Sequence, residues 1–214
     1  WLNRLNSKAN KIERFTSKDN NAPHSNSAIL SLYTDSKGVI WVGTFNGLYK
    51  YDKESHIFQN FNEDNLINEQ INTIIGKDDF IYLGTASQGV LRFNTQTQEV
   101  KSIINKEDFK NIKSLFIDSQ NNLWIGTYNN GVAVLSNSNE TVVCYSTTNG
   151  LSSNYIRSIN ESPDGEILIG SFNGLNVLNT QNQRIIHYKT EGKLNGSISH
   201  NSIYSIFFDN NQTL

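Results

Sequence analysis

The sequence predicts an all-β fold in which a four-stranded antiparallel sheet of about 42 residues is repeated along the chain. One sign is a recurring group of an apolar residue or Trp, a β-branched or leucine residue, Gly and Thr or Ser, whose glycines (Gly43, Gly84, Gly126 and Gly170) are 41, 42 and 44 residues apart. Another is that each copy holds short β-rich segments separated by turns that end in Gly or Asn. A repeat of this length and content is typical of the blades of a β-propeller.

The first strand of each copy is an apolar stretch rich in β-branched residues, such as Ile112–Ile117. Nearly continuous apolarity is typical of a strand that is buried on both faces, so we expect it to line the centre of the fold. A tight turn follows at residues 35–38 and 162–165, with Asp or Ser at its start and Gly at its end. In the third copy Asn121 takes the Gly position, which fits because Asn tolerates positive φ.

The second strand carries the clearest packing signal. Side chains alternate along a strand, so Trp41 and Gly43 point to one face while Val42 and Thr44 point to the other. A large ring beside a residue without a side chain leaves room for the side chains of a neighbouring sheet. The positions predicted to serve this packing, rather than ligand contact, are Trp41, Gly43, Gly84, Trp124, Gly126 and Gly170.

The repeat also predicts the domain organisation. A single four-stranded sheet cannot bury both of its faces, so blades stack around a shared axis. We predict one propeller segment over residues 1–214, with complete blades at residues 27–61, 69–104, 111–146 and 155–189 and partial blades at residues 1–16 and 199–214. The chain has no Met, and we interpret it as an internal or processed piece of a longer protein.

Composition excludes several classes of partner. The net charge of −2 and the small charged fraction, 18%, give no broad positive surface for nucleic acid. No apolar run approaches the roughly 20 residues of a membrane span, so we expect no membrane contact by this segment. The one cysteine, Cys144, predicts no intrachain disulfide, and we interpret it as a small apolar filler.

Neither a cofactor nor a metal is predicted. His24, His56, His187 and His200 fall in outer strands or interblade loops, without the spacing of a metal site. The chain lacks a Gly-x-Ser-x-Gly element, and its turn carboxylates recur at one repeat position instead of forming an acid and base pair. The segment is therefore predicted to be non-catalytic.

The turns between the second and third strands are the predicted ligand-binding elements, because in a propeller they gather on one face around the central opening. Aromatic faces stack on the apolar side of a sugar ring, and amides match hydroxyl groups as donors and acceptors. These turns would therefore suit a neutral or weakly charged sugar. The alternative is ordinary turn chemistry, since Asn before Gly is a common turn pair. The candidate residues are Phe45, Asn46, Gln88, Tyr128, Asn129, Phe172 and Asn173.

Two segments, residues 40–48 (IWVGTFNGL) and 123–127 (LWIGT), closely resemble the two-component regulator propeller repeat. Residues 150–159 and 199–203 are similar to the interblade stretch of that family. The resemblance implies the periplasmic sensor region of a hybrid histidine kinase of the kind with which Bacteroides-like gut bacteria detect oligosaccharides from complex glycans.

In that family two seven-bladed propellers precede a small β-sandwich, a membrane span and cytoplasmic kinase, receiver and DNA-binding modules. The resemblance therefore implies that this chain is a fragment of a seven-bladed ring. Its implied partners are an oligosaccharide ligand and the remaining blades and neighbouring domains of the receptor, and a homodimer is compatible with it.

Ligand sensing is thus the first functional hypothesis. The second is a structural or protein-binding propeller scaffold, whose faces dock protein partners. The third and least favoured is a propeller polysaccharide lyase or glycosidase, which needs convergent His, Arg, Tyr or carboxylate groups at the opening. Arginine is scarce, and Arg157 is the only one in a predicted inner strand.

Overall fold

The computed structural model describes residues 2–6, 10–15, 28–55, 57–61, 67–104, 109–137, 142–190, 198–209 and 213–214. They fall into two compact units, residues 1–104 and 105–214. The strands of the first unit are β1 (Leu2–Asn6), β2 (Lys11–Phe15), β3 (Ile29–Thr34), β4 (Ile40–Thr44), β5 (Gly47–Tyr51), β6 (Phe58–Asn60), β7 (Ile71–Lys77), β8 (Phe80–Thr85), β9 (Val90–Asn94) and β10 (Val100–Ile104). Those of the second are β11 (Ile112–Ile117), β12 (Leu123–Thr127), β13 (Val132–Leu135), β14 (Val142–Tyr145), β15 (Ile156–Glu161), β16 (Ile167–Ser171), β17 (Gly174–Asn179) and β18 (Arg184–Tyr188).

Each unit contains two four-stranded sheets in which neighbouring strands follow one another along the chain and pair antiparallel. The first unit holds β3 to β6, β7 to β10 and a separate hairpin of β1 and β2; the second holds β11 to β14 and β15 to β18. The predicted fold class, all-β with four-stranded antiparallel blades, is confirmed. His24, His56 and parts of the predicted partial blades lie outside the described residues.

Within each unit the two sheets pack through their first strands. Strand β7 lies against β3 and β4, and β15 lies against β11 and β12. A Cβ atom added to Gly126 would come within 2.6 Å of Ile156 Cγ2, and one added to Gly43 within 2.8 Å of Ile71 Cγ2. Since real Cβ atoms do not approach that closely, the glycine of the second strand is what admits the first strand of the next sheet.

The tryptophans of the second strands have equivalent surroundings in the two units. Trp41 and Trp124 are each 2% exposed, and their indole nitrogens donate to Asp35 Oδ2 at 3.0 Å and Asp118 Oδ2 at 2.7 Å. The same carboxylates accept backbone amides of the turn between the first and second strands. The Asp therefore fixes that turn and the buried ring together.

The turn geometry follows the prediction made from Gly and Asn positions. Gly38 and Gly165 have φ of 78° and 79°, and Asn121 has φ of 66° at the same place in its turn. Asn therefore replaces Gly there because both residues reach the left-handed region at low cost.

The interpretation of Cys144 as an apolar filler is wrong. The thiol is exposed, as is Val143 beside it in β14. Strand β14 is the outer edge of its sheet, and its side chains are less covered there than those of the inner strands.

Residues 198–209 form no strand but pack beside β15 and β16. Ile203 N donates to Ser171 O at 2.9 Å, and Asn160 Nδ2 donates to Ile206 O at 3.2 Å. A Cβ atom added to Gly170 would lie 2.8 Å from Ile203 Cγ2, which repeats the relation of Gly126 to Ile156. The segment thus occupies the place that the first strand of a following sheet takes elsewhere in the chain.

Candidate functional site

A buried hydroxyl fixes each turn between the second and third strands. Thr44, Thr85, Thr127 and Ser171 end the second strands and are 0% exposed. Each donates to the carbonyl of the glycine that ends the turn, at 2.8 to 3.0 Å, and accepts a turn amide at 2.9 to 3.2 Å. Each hydroxyl thus donates once and accepts once on the same loop, so the residues at the tip of the turn are held in place.

Replacing Thr127 with valine is expected to destabilise the second unit by about 1–3 kcal/mol, because the part-buried Asn130 amide loses its hydroxyl partner and the buried Gly131 carbonyl keeps only the backbone amide of residue 127. The shape of the side chain is nearly unchanged, so the loss reports the hydrogen bonds. Hydrogen exchange at the amides of Asn130 and Gly131 measures it. Thr190, which is exposed, provides the matched control, and equal effects of Thr127→Val and Thr190→Val would contradict this role.

Three exposed aromatic rings lie next to one another in the second unit. Tyr128 and Phe172 start the turns after β12 and β16, Tyr155 lies between them, and the three are 41% to 43% exposed. The ring centroids of Tyr128 and Tyr155 are 5.1 Å apart and those of Tyr155 and Phe172 are 5.6 Å apart, both edge to face. We name Tyr128, Tyr155 and Phe172 the aromatic row.

The sequence prediction included two members of the aromatic row and missed the third. Tyr155 immediately precedes the first strand of its sheet, and its carbonyl accepts the amide of Phe172 at 3.1 Å. That bond joins the start of the first strand to the turn after the second strand. A signal for Tyr155 was available in the sequence. It is an aromatic residue directly before the apolar first strand, and the start of that strand lies beside the turn that follows the second strand.

The remaining predicted residues have separate positions. Phe45, Asn46 and Gln88 lie at exposed turns of the first unit, where Phe45 is 47% exposed. In the second unit Asn129 is exposed, whereas the Asn173 amide nitrogen donates to Ser152 O at 3.0 Å. Tyr155 therefore links Tyr128 to Phe172, and the Asn173 amide nitrogen ties its turn to the segment that precedes β15.

A β-bulge occurs near the start of every first strand. The pairing register shifts after the first residue in β3, β7, β11 and β15, which leaves Leu30, Asn72, Lys113 and Arg157 at the bulged position. A bulge redirects the side chain of the residue it displaces. In the second unit it brings two cationic side chains toward the aromatic row.

Those two side chains share a cavity of about 320 Å³, lined by Lys113, Tyr128, Ile156, Arg157, Phe172 and Tyr204. The guanidinium carbon of Arg157 lies 4.1 Å from the ring centroid of Phe172 and 3.9 Å from that of Tyr204. The ammonium of Lys113 lies 5.7 Å from the centre of the Tyr128 ring. Both cations therefore lie over aromatic faces, which attract positive charge.

The charge of this cavity is not balanced by nearby acids. Within the described part of the chain, no carboxylate forms an ion pair with Lys113 or Arg157. Arg157 Nε is buried and has no hydrogen-bond partner among the same residues. Partial burial and, to a smaller extent, the Arg157 charge lower the pKa of Lys113 from its ordinary value. The arrangement can bind a negatively charged group.

A second cavity, of about 370 Å³, lies at the opposite end of the same two sheets and is lined by residues that include Asp118, Tyr145 and Glu161. Its acidic groups are engaged, since Glu161 accepts from the amide and the hydroxyl of Ser119 at 2.7 Å each. Asp118 accepts the Trp124 indole. Glu161 and Asp118 are therefore explained by their hydrogen bonds within the protein, and the second cavity needs no ligand to account for them.

The two described histidines make local contacts. His187 Nε2 lies 2.7 Å from Gly150 O, and His200 Nδ1 accepts from Ser202 N at 2.9 Å. In the ranges that the structure describes, no three His, Cys, Asp or Glu side chains are grouped as a metal site would need. Nor do those ranges contain a helix with the length and apolarity to cross a membrane.

Residues 23–46 and 107–129 match the family described as the two component regulator propeller. These segments are two-component regulator propeller repeats. The second repeat includes Lys113, Trp124, Gly126 and Tyr128, so part of the packing set and part of the cavity lie within it.

The chain is also similar to a curated protein and to solved structures. It is 31% identical over 114 residues to "Histidine kinase P4" of Formosa agariphila, a match that covers 47% of this chain and 8% of the kinase. It also matches the extracellular domain of BT3049 of B. thetaiotaomicron, described as a hybrid two component system, with a TM-score of 0.81 and 23% identity over 98% of this chain. The corresponding domain of BT4673 matches with a TM-score of 0.73 and 25% identity over 90% of this chain.

This chain spans 28% of the BT3049 chain and 25% of the BT4673 chain. Virginiamycin B lyase from Staphylococcus aureus also matches, with a TM-score of 0.64 and 16% identity over 87% of this chain and 62% of that chain. An identity this low shows a shared fold alone, because one fold hosts unrelated functions.

Proposed function

We propose that this chain is part of the periplasmic, ligand-sensing propeller region of a hybrid histidine kinase, and that the ligand is an oligosaccharide released from a complex glycan. The observation that carries the proposal is the aromatic row beside the cavity of the second unit. The similarity to a histidine kinase and to extracellular domains of hybrid two component systems supports two parts of the proposal: a hybrid histidine kinase as the parent protein, and a periplasmic position for this segment.

The aromatic row has the properties of a saccharide platform. Its three rings are more than two-fifths exposed, although large apolar groups are usually covered. An edge-to-face series presents ring faces in more than one direction, and the C–H side of a pyranose packs on such faces. The adjoining cavity, about 320 Å³, is within the range of small-molecule sites, roughly 300–1,000 Å³.

The turns are suited to hold these rings in position before a ligand arrives. Thr127 and Ser171 fix the turns that carry Tyr128 and Phe172, and the Phe172 amide is bonded to the Tyr155 carbonyl. Little side-chain and loop entropy is then lost on binding, which favours affinity for a small ligand. A signal requires in addition that the ligand bind one arrangement of the receptor better than another.

The test uses the intact extracellular region of the parent protein, screened by thermal unfolding against oligosaccharides from plant and host glycans. At least one saccharide is expected to raise the unfolding midpoint in proportion to the logarithm of its concentration, and one at a hundred times its Kd stabilises by about 2.7 kcal/mol. If no saccharide of the panel stabilises the protein, and a partner protein co-purifies with it in the absence of any sugar, the scaffold hypothesis would be favoured instead.

A further inference from the structure

We propose that the saccharide carries an acidic substituent, a carboxylate or a sulfate ester, which Arg157 and Lys113 bind in the cavity of the second unit. This inference rests on the proposed function and adds the charge class of the ligand. The turn residues alone had suggested a neutral or weakly charged sugar, because they include no cation.

The first argument is the unbalanced charge. Arg157 and Lys113 line one cavity, and neither forms an ion pair within the described ranges. Two partly buried cations without a counterion are unfavourable, since each has lost water and each repels the other. An anion bound between them replaces the lost water contacts and removes the repulsion, whereas a neutral sugar does not.

The second argument is the orientation of Arg157. Its guanidinium carbon lies about equally far from the Phe172 and Tyr204 ring centroids, at 4.1 and 3.9 Å, so aromatic contacts limit its rotation. A planar guanidinium that is already oriented presents its donors as a fork, which matches the two oxygens of a carboxylate or sulfate. The Nε of this guanidinium is buried and has no hydrogen-bond partner within the described residues, so the protein leaves part of its donor capacity unused.

The third argument compares the four sheets. The bulged position of the first strand holds Leu30 and Asn72 in the first unit, but Lys113 and Arg157 in the second. The residues on either side of it are Ile and then Ser or Thr in all four sheets. A position that varies between fixed neighbours is not required by the blade, so the cations of the second unit need a different explanation, and ligand charge supplies one.

The experiment measures affinity by calorimetry on the intact extracellular region with paired probes. One pair is an oligogalacturonate and its methyl ester; the other is a sulfated disaccharide and its desulfated form. Inorganic sulfate and phosphate are separate probes. We expect the acidic member of at least one pair to bind ten- to a hundredfold more tightly than its neutral partner, and this preference to decrease as salt increases.

Arg157→Gln and Lys113→Gln are each expected to reduce the preference for the acidic member at least tenfold while affinity for the neutral member changes little. Arg184→Gln removes an exposed arginine from the outer strand β18 and serves as the matched control, with an expected change below twofold. Arg157→Lys keeps the charge but loses the fork, so it should recover only part of the preference. If Arg157→Gln does not fold, Lys113→Gln and the salt series on the unchanged protein remain decisive.

The outcomes separate the two proposals. Neutral saccharides that bind as tightly as acidic ones would overturn the acidic substituent and leave saccharide sensing in place. Inorganic sulfate or phosphate that binds as tightly as any acidic saccharide would show a site for a free anion and overturn the inference. The absence of binding by every saccharide, acidic or neutral, would count against the proposed function itself.

Discussion

Alanine in place of Trp124 is expected to lower the free energy of unfolding of the second unit by about 3–5 kcal/mol, the usual cost of truncating a buried large aromatic side chain. The ring packs within a buried cluster that includes Ile156 and Leu178 and lies parallel to Tyr145, with a centroid distance of 6.0 Å. Its indole also donates to Asp118, which is itself buried. The substitution therefore removes packing between two sheets and a buried hydrogen bond together.

The measurement is hydrogen exchange at the amides of β12 and β15, because local opening energies are resolved there even when a larger protein does not unfold in one step. Tyr188→Ala is the control, since that ring is exposed on the outer strand β18, and a change of less than about 1 kcal/mol is expected. A loss at Trp124 no greater than at Tyr188 would contradict the packing role of the repeated tryptophan.

Alanine at Tyr128, Tyr155 and Phe172 together is expected to abolish stabilisation by the saccharide while leaving the fold intact. The three rings are exposed, so their removal leaves little cavity, but it takes away the surface on which we propose that the sugar packs. Stacking losses of about 1 kcal/mol or more per ring combine into at least a hundredfold loss of affinity. Calorimetry with the best saccharide of the panel measures it.

Two comparisons make this result interpretable. Tyr188→Ala removes an equally exposed ring that makes no ring contact with the row among the described residues, and it should leave affinity unchanged. The sequence-based set also included Phe45 of the first unit, so Phe45→Ala tests whether turn aromatics of both units contact the ligand. Unchanged affinity in the variant that lacks all three rings of the row would remove the aromatic site.

The architecture was predictable because packing imposes the same demand on every blade. Gly43, Gly126 and Gly170 recur in the same place of the repeat because each lies against an isoleucine of the segment that follows its sheet, and that requirement restricts a few positions. The recurring Thr or Ser was visible too. Its purpose was not, because the double hydrogen bond of Thr127 to its own turn depends on the backbone geometry of that turn.

The site was only partly predictable, because its residues differ from blade to blade and are brought together by backbone geometry. Tyr128 and Phe172 were identified because they start a recognisable turn. Arg157 and Lys113 face the cavity because of a bulge, and nothing in the residues of β11 or β15 indicates that the register shifts there. Tyr155 joins the row through the pairing of two segments that are separated in sequence. The sequence comparison concentrated on the positions that recur in every blade. The position that differs between blades, which the structure places at the bulge, is the one that indicates the site.

The most direct test of the account is a crystal structure of the intact extracellular region with a saccharide that stabilises it. We predict a sugar ring within about 4 Å of at least one ring of the aromatic row, with its acidic group hydrogen-bonded to Arg157. A saccharide bound elsewhere, while the cavity between Lys113 and Arg157 holds only solvent, would contradict it.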